Sequence, residues 1–141
     1  MLTQKYKEML QEYTGTEQAS YFEDGFAPPE VAYINRLKEL INTHYKKHKD
    51  QEFYAKQMCM SIKMINAMLK YCMGKTLHEM IQHRLYKEAA NLIIHSRMPM
   101  KEIAFVLGLS EPAYFSRWFK SISGMGPREY RQIYQSKKLS K

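Results

Sequence analysis

The chain has 141 residues, 45% of them apolar, and a formal net charge of +8. That is enough chain to bury a real core, and the basic excess points to an acidic partner, nucleic acid before an anionic membrane. No apolar run approaches the roughly 18 residues of a membrane span, nothing at Met1 has the layout of a signal peptide, and two cysteines are too few for a disulfide framework, so reduced thiols and a cytoplasmic location are expected.

Strand signals are scarce and helical periodicity runs through the whole chain, so the expected class is all-α. Residues 2–13 read as a short amphipathic helix and 14–29 as a linker rich in Gly and Pro. A helix follows from Glu30 to about Lys49, with Ile34, Leu37, Ile41 and Tyr45 as its apolar stripe. A short helix covers about 53–59. The next follows Ser61 and stops at Gly74. Thr76 and Glu79 form a capping box opening a long helix to about Ser96, whose buried face is Leu77, Ile81, Leu85, Ala89, Leu92 and Ile93. Beyond Pro99 a short helix covers Lys101–Leu107, and Gly108 ends it. Ser110 is expected to cap a helix over about 112–122, ended by Gly124, and Pro127 opens a last helix over about 127–135. The remaining 136–141 are a basic tail.

The charge is uneven. Residues 1–30 hold two basic and six acidic side chains, whereas 31–141 hold the other 20 basic and eight acidic ones. The functional unit is therefore placed at 30–135, with 1–29 as a separate helix and linker.

That unit contains a repeat. Ala55, Cys59, Ser61, Leu69, Lys70 and Gly74 recur as Ala104, Gly108, Ser110, Phe119, Lys120 and Gly124, first at an offset of 49 residues and then of 50. Each copy reads as a short helix, a tight turn and a second helix, which is a helix-turn-helix. Ala55 and Ala104 permit close approach of the two helices, Gly108 supplies a positive φ, and Ile65 and Phe115 drop between the helices.

The second copy runs Ile103-Ala104-x3-Gly108-Leu109-Ser110, then Tyr114-Phe115-Ser116-Arg117-x-Phe119-Lys120-x3-Gly124-x2-Pro127-x2-Tyr130-Arg131. With Arg84-Leu85-x3-Ala89-x2-Leu92-Ile93 in the middle, residues 30–131 resemble the DNA-binding domain of the AraC/XylS family of bacterial regulators. The resemblance implies two helix-turn-helix subdomains joined by one long helix, in a homeodomain-like all-α fold. It implies sequence-specific binding to double-stranded DNA in regulation of transcription, with no enzyme activity, no cofactor and no metal. Most members carry a sensor or dimerisation domain before this one, so 1–29 are read either as part of a stand-alone member or as the remnant of such a domain, and dimerisation is expected only from a domain of that kind. The first copy departs from the pattern: Cys59 stands at the usual glycine, and Ala67 where a polar reader is common.

A joining helix of about 20 residues is roughly 30 Å long, close to the 34–36 Å between successive major-groove faces. One monomer is therefore expected to place two recognition helices in adjacent major grooves of an asymmetric site. Lys63, Asn66 and Ala67 on the first helix, and Ala113, Ser116 and Arg117 on the second, are the expected base readers: Asn66 for adenine, Ala67 for a thymine methyl, Arg117 for guanine. Lys70, Thr76, Lys120, Arg128 and Arg131 are the expected backbone anchors.

Other features have plainer readings. Phe115 and Phe119 belong to the core by spacing, while Tyr114 and Trp118 stay open between core edge and a binding surface. His44 and His48, spaced i, i+4, lack a third ligand and sit among Lys46, Lys47 and Lys49, so an exposed helix face is expected. Cys59 and Cys72 read as buried small apolar residues. No nucleophile–base pair, phosphate loop or carboxylate pair stands out. The competing reading is a helical interaction module for an acidic protein, RNA polymerase or another regulator, with little DNA affinity.

Overall fold

A computed structural model describes residues 29–139, all helical apart from turns, and its side chains are described to Gln135. The expected helix over 2–13, the linker before Pro29 and the end of the tail lie outside these residues. Seven described helices follow in order: α1 Pro29–His44, α2 Gln51–Met58, α3 Ile62–Met73, α4 Leu77–His95, α5 Met100–Val106, α6 Pro112–Ser123 and α7 Pro127–Leu139. The chain divides into two compact units at Ile81–Gln82, within α4.

In the first unit α1 packs on α2 and α2 on α3. The core is Leu37, Leu40, Ile41, Tyr45, Tyr54, Ile65, Met68 and Leu69, closed by Leu77 and Ile81 from the start of α4. Asp50 starts α2: its carboxylate accepts the Phe53 N–H at 3.1 Å. Sequence reading began this helix two residues late because it passed over that cap. Tyr54 is fully buried, and its hydroxyl donates to the His48 carbonyl at 2.7 Å.

In the second unit α5 packs on α6 and α6 on α7. Leu85, Ala89, Ile93, Ile103, Ala104, Leu107, Leu109, Phe115, Trp118 and Phe119 form the core. The rings of Phe115, Trp118, Phe119, Tyr86, Tyr130 and Tyr134 meet in tilted or edge contacts at centroid distances of 4.4–6.5 Å, a geometry that suits their quadrupoles. Trp118 is therefore core, as its 9% exposure also states.

The repeat is written into the backbone of both turns. Met60 N–H donates to Ala55 O at 3.1 Å and Cys59 N–H to Lys56 O at 3.2 Å. In the second unit Leu109 N–H donates to Ala104 O at 2.8 Å and Gly108 N–H to Phe105 O at 3.0 Å. Both are Schellman endings, which need a left-handed residue. Gly108 supplies it with φ 75°, and Cys59 adopts φ 54°, the one positive φ outside glycine among the described residues.

The second helices of the two motifs begin differently. Ser61 Oγ accepts the Met64 N–H at 3.1 Å, as expected. Ser110 does not cap α6; the cap position is Glu111, which makes no side-chain cap bond. The cause is Pro112 at the first helical position. It forces the preceding residue into extended backbone, here φ −119° and ψ 121°, so the extra residue of the second copy takes the cap position.

Candidate nucleic-acid interface

On α6 the apolar residues Phe115, Trp118 and Phe119 point inward, which turns the remaining positions to solvent. Ala113, Tyr114, Ser116, Arg117 and Lys120 are all exposed, Tyr114 by 49%. Ala113, Ser116 and Lys120 lie at helical spacing along one wall of an open cleft of about 700 Å³. Lys101 at the start of α5 and Arg128 at the start of α7 line the same cleft. Tyr114 and Arg117, at i and i+3, form the adjoining strip. The second unit thus brings together four expected readers or anchors, Ala113, Ser116, Lys120 and Arg128, and places Arg117 beside them. Lys101 was missed by sequence reading, because only the fold carries the start of α5 to the flank of α6.

On α3 the expected set is divided. Lys63 and Lys70 are exposed, Met64 is 46% exposed, and Ala67 is half-buried. Asn66 is half-buried and turned back on the protein: its Oδ1 accepts the Leu77 N–H at 2.8 Å. This corrects its expected pairing with adenine, which requires that oxygen as an acceptor. Asn66 instead satisfies an orphan amide at the start of α4.

Two further expected anchors bond within the protein. Thr76 Oγ1 accepts the Glu79 N–H at 3.1 Å and donates to Glu79 Oε1 at 3.3 Å. The capping residues are those expected, but the Glu79 carboxylate meets the hydroxyl, not the Thr76 N–H. With its hydroxyl so engaged, Thr76 could reach a phosphate only through its backbone N–H. Arg131 donates from Nε to Ile93 O at 2.8 Å and from Nη2 to Met98 O at 2.7 Å. Gln135 Nε2 reaches Ile94 O and Ser96 O at 3.2 and 3.3 Å. These carbonyls belong to the end of α4 and the loop after it, where helical partners run out. Arg131 is a clamp on that helix end, with its Nε and Nη2 bonded to the protein, where Lys120 and Arg128 lie exposed.

The remaining candidates pack within their own units. His44 and His48 do not lie on an exposed helix face; both are half-buried against Phe53, with His48 stacked on it at 3.7 Å and His44 edge-on at 5.0 Å. Cys59 is exposed, not buried as expected, because the turn ending α2 carries it to the surface, and Cys72 is half-buried; burial first, and the charge of Glu30 second, push the Cys72 thiol up.

A family profile for the helix-turn-helix domain matches residues 54–133. The chain belongs to the AraC/XylS helix-turn-helix family. It is 28% identical over 101 residues to the transcriptional activator RhaS of Escherichia fergusonii, and 27% identical over 101 residues to RhaS of Salmonella newport. These matches cover 72% of this chain but 36% of RhaS, so the chain spans about a third of the length of the curated relatives it matches. Among solved structures, the C-terminal domain of AraT, a response regulator from Geobacillus stearothermophilus, is 26% identical with a TM-score of 0.65, over 72% of this chain and 84% of that one. The DNA-binding domain of AdpA, solved with a target DNA, is 19% identical with a TM-score of 0.65, over 82% and 100%. It shares the all-α fold.

Proposed function

We propose that this AraC/XylS-family chain is a sequence-specific DNA-binding regulator of transcription. The observation that carries the reading is the exposed side of α6. Its strip of Tyr114 and Arg117 adjoins a cleft lined by Lys101, Lys120 and Arg128, which is base-reading chemistry beside phosphate-binding chemistry. AdpA, with the same fold, was solved on a target DNA. In this reading α6 enters a major groove, Arg117 takes guanine O6 and N7, Ala113 and Ser116 approach neighbouring bases, and Lys120 and Arg128 hold phosphates. Helix α3 takes the adjacent major groove, with Lys63 and Lys70 toward DNA and Ala67 beside them. One chain serves one asymmetric two-groove site.

A protein partner is compatible with this. Phe105, 81% exposed, and Val106, 36% exposed, put apolar surface on α5. RNA polymerase is the partner that the family resemblance implies.

The test is a salt titration of affinity for duplex DNA. Phosphate neutralisation releases counterions, so the logarithm of affinity should fall linearly with the logarithm of salt concentration. A binding constant indifferent to salt would leave only the protein-interaction reading.

A further inference from the structure

We infer that the first helix-turn-helix grips DNA with little base discrimination, and that strong discrimination belongs to the second. This rests on the DNA-binding reading above. The strongest discrimination of a base pair comes from a side chain that meets the base edge with two bonds, through paired donors or a donor and an acceptor; single bonds and apolar contact with a thymine methyl discriminate less. On the outward side of α3 only Asn66 has such a pair. Its oxygen is fixed on the Leu77 N–H at 2.8 Å, and because that partner is a donor, the amide cannot be turned over without losing the bond. The other positions are two lysines, a methionine, a half-buried alanine and the half-buried Tyr71, whose single hydroxyl cannot make two parallel bonds to a base edge. Lysine is a point charge on a flexible stem that suits a phosphate better than a fixed pairing with guanine, and Ala67 and Met64 offer at most apolar contact with a thymine methyl.

The repeat explains why α6 differs. Fifty residues beyond Asn66 and Leu77 stand Ser116 and Pro127. Pro127 opens α7 as Leu77 opens α4, but proline has no N–H. The latch found in the first copy therefore cannot form in the second, and Ser116 stays exposed. At the next position Ala67 corresponds to Arg117, an exposed guanidinium. One unit has spent its polar reader on its own architecture, and the other has kept its readers outside. Asn66 is a positioning residue: it ties the recognition helix to the helix that follows.

The test is a base-substitution scan of the preferred duplex with the full chain, repeated with Arg117→Ala, Lys63→Ala and Ala67→Arg. In the half-site whose preference Arg117→Ala relaxes, single substitutions should weaken binding by about tenfold. In the other half-site no substitution should exceed about threefold, below the usual range for a mismatch, and Lys63→Ala should weaken all sequences alike. Ala67→Arg should create a strong preference there where the parent chain has little. A position in that half-site that costs tenfold, or a preference removed by Lys63→Ala, overturns the inference and leaves DNA reading intact. No preferred duplex at all would instead overturn the DNA-reading proposal itself.

Discussion

Trp118 donates its indole N–H to Gln82 Oε1 at 2.6 Å, which ties the recognition helix of the second unit to the long helix. The indole is nearly buried, so its donor depends on this one acceptor. Gln82→Leu should cost about 1–3 kcal/mol, the range for a buried polar group left unpaired. Trp118 is the single tryptophan of the chain, so its fluorescence in a urea melt reports this unit directly. An unchanged midpoint would show that the bond contributes nothing.

Cys59 holds φ 54° where the second copy has Gly108 at φ 75°. A side chain in the left-handed region costs roughly 1–2 kcal/mol. Cys59→Gly should therefore raise stability by about 1 kcal/mol, while Gly108→Ala should lower it by a similar amount. Denaturant midpoints of the two variants should move in opposite directions.

These turns also mark what was legible in the sequence. Alanine, the left-handed residue and the serine sit at matched offsets, so both helix-turn-helix units could be read before any coordinates. Caps written in neighbouring residues were mostly legible too, as at Ser61 and Thr76. Ser110 was misread because the effect of Pro112 on the residue before it outweighed the hydroxyl's preference. The site was legible where an exposed residue follows from helical spacing, as at Arg117 and Lys120. It was not legible for Asn66, Arg131 and Gln82. Each spends its polar atoms on a backbone or side-chain group 11 to 38 residues away, and periodicity carries no information about such a partner.

Arg131 clamps two carbonyls near the end of α4. Arg131→Met keeps the aliphatic stem and removes both bonds. It should lower stability by about 1.5–3 kcal/mol, the range for hydrogen bonds to a charged group, and leave the salt dependence of DNA affinity unchanged. A salt slope smaller by about one would mean that Arg131 does neutralise a phosphate.

Burial, and then the charge of Asp50, push the Tyr54 hydroxyl up to about 12. A tyrosine raised above its ordinary value of 10.0 favours the folded state most fully below that value, and loses the contribution as pH climbs toward 12. The chain should therefore weaken between about pH 10 and 12. Tyr54→Phe should cost about 1 kcal/mol at neutral pH through the lost bond to His48, and its alkaline decline should be shallower. An identical decline in both proteins would contradict this assignment.

Sequence-specific binding can be measured by selecting duplexes from a random pool with the full chain. One asymmetric sequence spanning up to two helical turns should be enriched, with its strongest preference at a guanine. Arg117→Ala should relax that position at a cost of about 1–3 kcal/mol. A pool that emerges with no enriched sequence would contradict sequence-specific binding.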